Sequence, residues 1–300
     1  MLAAQKRAYL ELHIAVLLFG LTAILGDLIQ LTALVLVWWR VLLTSASLGP
    51  FVRPQRLYRD LGGPLFWRFV GIGVLVALHW VTFYGAIKLS NASICLICMA
   101  TTSFFTAFLE PVIVGRPFRW YEAILGLLIV PGMALIVRSV PPDMYWGIAV
   151  GLTSALLAAT FATFNKKYLA VSAQPISPTR ITFLELSSAC VFLSLVLGTR
   201  WVGHFELGQL LPPSLLDWAY LLVLVFFCTT LAYTLSLRAL RHLSAFAANL
   251  TVNLEPVYGI VLAWLLLNEQ QELSSNFYLG VVIILLVVFS YPLVQRRFRI

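Results

Sequence analysis

The fold is decided by two short stretches that match each other, Ala-Ile-Lys-Leu-Ser-Asn-Ala at residues 86–92 and Ala-Leu-Arg-His-Leu-Ser-Ala at residues 239–245. They lie 153 residues apart, and further along the chain Gly126 and Gly280 repeat at a spacing of 154 residues. Because one register holds over two separate apolar segments, the two halves of the chain are predicted to be copies of one another.

The composition around these stretches is that of a membrane protein. Of the 300 residues, 61% are hydrophobic and 11% are charged, whereas soluble domains are about 45–50% apolar and about 25% charged. Residues 281–288 read Val-Val-Ile-Ile-Leu-Leu-Val-Val, without the alternation of a β-barrel strand. We therefore predict an all-α membrane protein, which excludes a receptor or an enzyme built on a soluble lobe.

Apolar run length gives ten predicted transmembrane helices, since a span needs about 20 predominantly apolar residues. Glycine, proline and charged residues mark the breaks between them. The predicted spans are 11–29, 33–49, 65–87, 91–114 and 120–138 in the first half, and 144–165, 178–198, 214–237, 243–267 and 274–294 in the second.

The basic residues divide unevenly between the two sides that these spans define. One side receives sixteen of the 20 Lys and Arg residues, the other receives Lys88, Arg138 and Arg200, and Arg40 lies within a span. Cytoplasmic connections carry the excess of basic residues. Both termini are therefore predicted to be cytoplasmic, and the net charge of +8 indicates membrane orientation rather than a nucleic-acid partner.

Each half, 1–140 and 141–300, contains five predicted spans, and an odd number places the two copies upside down relative to each other. Inverted repeats of this kind hold the substrate near the membrane midplane, in a central cavity between the halves. The string Leu-Glu-Pro-Val at 109–112 and again at 254–257 is a misleading match. Its spacing of 145 residues breaks the duplication register, so Glu110 and Glu255 are predicted not to be equivalent.

Short motifs spread along both halves match a known family of membrane proteins. They are Trp39-Arg40, Tyr84-Gly85-Ala86, Asn91-Ala92, Ala232-Tyr233, Arg238-Ala239-Leu240, Ser244-Ala245, Leu254-Glu255-Pro256-Val257 and Leu267-Asn268-Glu269. Through these residues the chain resembles the EamA family of the drug/metabolite transporter superfamily, while Gly115-Arg116-Pro117 departs from the family pattern at the end of span 4. The resemblance implies ten helices in an inverted-repeat bundle, and it also implies transport of metabolites, without identifying the substrate.

Arg40 is the most informative charged residue, because an isolated arginine at the middle of a span costs about 2.5–3.5 kcal/mol to insert. It must face a cavity or a partner. Glu185, at comparable depth in span 7, is the expected counter-ion. In a functional interpretation, Arg40 binds a substrate carboxylate or gates the cavity. In a structural interpretation, Arg40 and Glu185 form a buried ion pair. The sequence favours neither of the two.

Glu255-Pro256 is the second candidate. Proline removes the hydrogen bond that the Val252 carbonyl would accept and kinks the helix at mid-depth. A carboxylate beside that break is placed to accept a substrate ammonium group or to carry a coupling proton. Asn249 and Asn253 lie on the opposite face. At least one of them is expected to pack between helices, and Asn253 is the candidate for the site.

Aromatic residues are the remaining candidates. In span 3, Trp80 and Tyr84 share one face and His79 lies on a neighbouring one, and Tyr233 is matched to the family in span 8. These side chains are expected to form the walls of a substrate pocket. For any single one of them, however, the sequence favours ordinary packing or a lipid-facing position.

The predicted function is that of a secondary transporter of the bacterial inner membrane, which exports amino acids or related metabolites by alternating access. Uptake of a nucleotide-like or vitamin metabolite is the first alternative, and an intramembrane enzyme is an alternative from another class. The sequence contains no nucleotide-binding or hydrolase motif. We expect no cofactor and no metal; a small metabolite and the lipid bilayer are the expected partners, with a homodimer left open.

Overall fold

A computed structural model describes residues 2–138, 140–171, 177–200, 207–252, 254–266 and 274–297. Within these ranges the regular elements are helices, as expected for an all-α chain. They are α1 (Leu2–Leu28), α2 (Ala33–Leu48), α3 (Pro54–Leu61), α4 (Gly63–Leu89), α5 (Ala92–Ala100), α6 (Thr102–Val114), α7 (Trp120–Arg138), α8 (Tyr145–Val171), α9 (Pro178–Arg200), α10 (Leu215–Val223), α11 (Ala232–Leu240), α12 (Ala245–Val252), α13 (Glu255–Leu266) and α14 (Ser275–Arg297), together with short 3-10 turns and a π-helical segment, Leu224–Leu231.

Eight helical segments of the described residues are long and apolar enough to cross a membrane. Two further apolar helices, Trp120–Gly132 and Tyr278–Val287, are shorter. The helices also extend beyond the predicted spans. The first helix begins at Leu2 and includes polar residues, which a criterion based on apolar runs misses. Within this polar part, Arg7 Nε donates to Glu11 Oε1 one turn later at 2.9 Å. The short helix α3 was not predicted for the same reason.

Two of the predicted spans are broken near their middle at matching positions. The fourth divides at Thr101, whose hydroxyl donates to the Cys98 carbonyl at 2.7 Å, and the ninth divides just before Glu255. Asn91 accepts the N–H of Ile94 before the first break, and Ser244 accepts that of Ala247 before the second. These two helix caps lie 153 residues apart, in the duplication register.

The two broken segments pack against each other. Helix α5 contacts α13, and α6 contacts α12, so the first part of each segment lies beside the second part of the other. Glu110 in α6 accepts the N–H groups of Ala245 and Phe246, at 2.9 and 2.8 Å, where α12 begins. Glu110 therefore caps the N-terminus of a helix, whereas Glu255 lies at a helix break, and the two glutamates occupy different environments.

Polar contacts define the two ends of the bundle. At the end that we call the basic end, Arg238 pairs with Glu11 at 3.1 Å, Arg180 pairs with Asp60 at 2.6 Å, and Lys166 donates to a backbone carbonyl of α11. At the opposite end, Lys88 donates to the carbonyls of Asp27 and Ile29, and the Gln30 N–H donates to Asp217. These polar contacts form one layer at each end of the bundle, and the apolar core lies between the two layers.

Candidate functional site

Arg40 lies at the centre of the bundle, 2% exposed, on a helix packed against α4, α9 and the π-helical segment. Its Nε donates to the Thr229 hydroxyl at 2.6 Å, one terminal nitrogen donates to Tyr84 at 2.9 Å, and the other reaches the Cys228 carbonyl at 3.4 Å. The guanidinium carbon lies 3.7 Å from the centre of the Trp80 ring, in a cation–π contact. Of the five N–H groups of an arginine, two therefore have no acceptor among the described residues.

The π-helical segment supplies two of the Arg40 contacts. Its threonine hydroxyls donate to carbonyls five residues earlier, Thr229 to Leu224 at 2.7 Å and Thr230 to Val225 at 2.9 Å. A π-segment widens the helical turn and is common at functional sites. Here it brings the Thr229 hydroxyl and the Cys228 carbonyl to the guanidinium, which the apolar sequence of this region did not indicate.

A cavity of about 90 Å³ lies beside Arg40. This space holds several water molecules or one compact solute. Its lining includes five of the predicted site residues, Arg40, His79, Trp80, Tyr233 and Glu255. Tyr84 and Glu185 lie behind the lining, and Asn253 lies outside the described residues. The remaining lining residues are Phe19, Thr22, Phe83, Met99, Thr102, Ala158, Phe161, Ala162, Asn165, Ser236, Leu237, Leu240, Ala248 and Val252.

The cavity extends from Arg40 towards the basic end, where its lining includes Leu240 and Ala248. On the other side of Arg40, Tyr84 is fully buried and packs tightly against Gly26, where an added Cβ would lie 2.3 Å from the Tyr84 ring. This tight contact lies between the cavity and the opposite end of the bundle.

Glu255 supplies the negative charge of the cavity. Its side chain is 5% exposed and begins α13 directly after the helix break, as Pro256 led us to expect. No described residue donates a hydrogen bond to its carboxylate, and its charge and that of Arg40 act on each other. The two groups do not form an ion pair within 4 Å, so each remains available to a charged solute.

The predicted ion pair between Arg40 and Glu185 was wrong. Glu185 is fully buried and accepts a hydrogen bond from the Tyr233 hydroxyl at 2.5 Å, while Arg40 is held by hydroxyl and carbonyl groups. Equal depth in neighbouring helices did not bring the two charges together, because helix rotation directs Glu185 towards α11 rather than towards α2.

The aromatic residues have two separate roles. His79 Nδ1 lies 2.8 Å from the Ser154 hydroxyl and 3.0 Å from its carbonyl, so its polar atom is used in packing α4 against α8. Trp80 stacks on Arg40, and its ring meets Tyr233 edge-on at 6.1 Å. Phe161, which was not predicted, contacts both His79 and Tyr233.

Asn165 is the main cavity residue that sequence reasoning missed. It is fully buried and adjoins both Glu185 and Tyr233. Its position directly before Lys166-Lys167 indicated a residue at the membrane surface, but the helix continues to Val171. An asparagine at the last position of a predicted span, with no other assigned role, was the available signal.

Apolar helices around a buried charged cavity define a multi-pass membrane protein. The model of the EamA-like transporter family matches residues 6–138 and 145–291, so the chain belongs to that family, within the drug/metabolite transporter superfamily. A solved structure described only as the crystal structure of a protein is similar in fold, with a TM-score of 0.69 and 14% identity over 98% of this chain and 99% of that chain. No curated protein sequence matches the chain.

Proposed function

We propose that this protein is a secondary transporter of the bacterial inner membrane that exports small zwitterionic metabolites, amino acids first among them, by alternating access. The observation that carries the proposal is the pair of opposite charges at the cavity, Arg40 and Glu255, neither of which has an ionic partner within 4 Å among the described residues. A buried charge without a partner is costly. A solute that carries both a carboxylate and an ammonium group compensates both charges at once.

The contacts of Arg40 suit a carboxylate. Its Nε and one terminal nitrogen are fixed by Thr229 and Tyr84, so the guanidinium is already oriented before a ligand arrives. Its two unused N–H groups are donors for a charge-assisted hydrogen bond, which is about twice as strong as a neutral one. Glu255, which accepts no hydrogen bond from the described residues, receives the ammonium group.

The transport mechanism rests on two inverted repeats of five spans, residues 1–140 and 141–300. Support comes from the packing of α5 with α13 and of α6 with α12. When two broken segments run antiparallel, the first part of one lies beside the second part of the other. The helix caps at Asn91 and Ser244, in the duplication register, add to it. Alternating access follows from moving one repeat against the other around a central site.

The direction of transport follows from the proposed orientation. Cytoplasmic connections are rich in basic residues, so the basic end and both termini are assigned to the cytoplasm. The cavity then faces the cytoplasm, while Tyr84 and Gly26 close the periplasmic side. Loading from the cytoplasm is the first step of export.

The aromatic lining favours one alternative, uptake of a nucleotide-like or vitamin metabolite. Trp80, Phe83 and Phe161 could stack on a planar ring, and Arg40 could bind a phosphate or carboxylate group. A ring would have to enter a cavity of about 90 Å³, which suits a smaller solute better, and for that reason amino acids are placed first.

Counterflow in proteoliposomes tests the proposal. Proteoliposomes that contain the purified protein are loaded with unlabelled solute, and the entry of labelled amino acids, nucleosides or vitamins into them is followed. We expect amino acid counterflow that is lost in Glu255→Gln and kept in Asp143→Asn, which changes an exposed carboxylate remote from the cavity. Counterflow of nucleosides or vitamins without amino acids would select the alternative, and no difference between the two variants would remove Glu255 from the site.

A further inference from the structure

A second polar group lies next to the cavity and takes no part in the charge pair described above. Tyr233 donates to Glu185 Oε2 at 2.5 Å. Glu185 Oε1 and both amide atoms of Asn165 are buried and have no hydrogen-bond partner among the described residues. Since Tyr233 and Asn165 line the cavity and Glu185 lies behind them, the three residues connect the cavity to a carboxyl group in the core.

A single proton resolves this arrangement. An ionised carboxylate in the core is costly when the groups beside it, here Tyr233 and Asn165, are neutral and no cation of the described residues pairs with it. If Glu185 Oε1 carries a proton, the charge is removed and the new O–H is a donor for the adjoining Asn165 Oδ1. Two unpartnered acceptor oxygens then form one hydrogen bond, and buried polar groups are normally paired in this way.

The groups that face Glu185 do not provide another explanation. Helix α11 contributes the Tyr233 hydroxyl and α8 contributes the Asn165 amide. Helix α4 packs the backbone of Gly73 against the Glu185 carbonyl, and its His79 is bonded to Ser154. Arg40 of α2 lies apart and forms no ion pair with Glu185, so no cation in the part of the chain that the structure describes pairs with the carboxyl group.

We propose that Glu185 is the proton-binding site of the transporter, and that Tyr233 and Asn165 link its protonation to the occupant of the cavity. A hydronium ion in the cavity transfers a proton to the Tyr233 oxygen while the Tyr233 proton passes to Glu185 Oε2. Rotation of the carboxyl group about its Cγ–Cδ bond then turns the new O–H towards Asn165. Water remains, and the tyrosine hydroxyl is regenerated. Coupling to transport rests on the proposed function, whereas proton binding by Glu185 does not.

Infrared spectroscopy of the purified, reconstituted protein tests proton binding without a solute. We expect a protonated-carboxyl band at neutral pH that is reduced in Glu185→Gln and retained in Asp143→Asn, which changes an exposed carboxylate. Tyr233→Phe should shift the band, because it removes the hydrogen bond to Oε2, and this variant preserves the test if Glu185→Gln does not fold. A band unchanged by both Glu185→Gln and Tyr233→Phe would overturn the proposal.

Transport then tests the coupling. Transport that remains in Glu185→Gln should lack the acceleration that an imposed pH gradient gives to the wild type. If the gradient still accelerates transport in Glu185→Gln, the coupling proposal is wrong. If amino acids are not transported while the infrared band still follows Glu185, the proposed substrate fails and the proton site stands.

Discussion

The contact of Gly73 with α9 gives a prediction whose size follows from the structure. A Cβ atom at Gly73 would lie 2.2 Å from the Glu185 carbonyl oxygen and 2.0 Å from the Ser188 hydroxyl, whereas ordinary contacts of a Cβ are 3.4–4 Å. The serine side chain can rotate, but the carbonyl belongs to the helix backbone. Gly73→Ala therefore requires α4 and α9 to separate by roughly 1 Å at this point, a shift of the kind that overpacking forces on a backbone.

This separation has an energetic cost and a functional consequence. Overpacking typically costs about 1–3 kcal/mol, and we expect the free energy of unfolding to fall by that amount. The movement also shifts the α9 backbone at Glu185, and so disturbs the hydrogen bond from the Tyr233 hydroxyl, which is now 2.5 Å distant. The acceleration of transport by a pH gradient should therefore weaken in Gly73→Ala, even in protein that remains folded.

Gly71→Ala is the matched control, since it lies on the same helix and an added Cβ there meets nothing within 4 Å. Alanine is favoured over glycine in a helix by up to about 1 kcal/mol, so this variant should be unchanged or slightly more stable. Denaturant or thermal unfolding in detergent measures both variants, and proteoliposome transport follows the pH response. Equal effects of the two substitutions would refute the predicted helix contact.

Three further predictions are made at charged residues. Arg40→Gln should weaken amino acid binding by roughly 30-fold or more, since loss of a buried charged partner costs about 2–5 kcal/mol, while Arg40→Lys keeps the charge and should bind better than Arg40→Gln. Calorimetry measures both, and loss of folded protein with unchanged affinity in the remainder would indicate a structural role. In a variant with Cys190 replaced by Ser, a cysteine at Arg59 should react with a membrane-impermeant reagent from the cytoplasmic side, and one at Asp143 from the periplasmic side; the reverse pattern would overturn the orientation. Finally, the hydrogen bond from Arg180 lowers the pKa of Asp60 below its ordinary value of 3.8. The pair should therefore stabilise the fold above this pH, and the contribution should be lost as the pH falls through the lower folded-state pKa. Asp60→Asn should remove that part of the acid dependence of melting, and an identical melting profile for both proteins would show that the pair does not contribute.

The sequence predicted the parts of the fold that depend on apolar run length and on proline. Membrane helices were found because every backbone polar group in lipid must be bonded within its own segment, which makes long apolar runs diagnostic. The break before Pro256 was found because proline cannot donate the hydrogen bond that a helix requires. The division of the fourth span at Thr101 has no such marker.

The parts of the site that could not be predicted depend on helix rotation and on local winding. Spacing along the chain placed Arg40 and Glu185 at similar depth, but it did not fix which way each helix turns, and so the partners were assigned incorrectly. The π-helical segment is hidden in the apolar run Leu224-Val225-Phe226-Phe227, where no residue signals the wider turn. Its effect on Arg40 emerges only when the helices are packed together.

The most direct test of the proposed zwitterion site compares three ligands of one carbon skeleton in equilibrium binding to the purified protein. They are an aliphatic amino acid, the corresponding amine without the carboxylate, and the corresponding acid without the ammonium group. If Arg40 and Glu255 each hold one end of the solute, the amino acid binds and each analogue binds at least roughly 30-fold more weakly. Binding of either analogue as tightly as the amino acid would contradict the two-charge site.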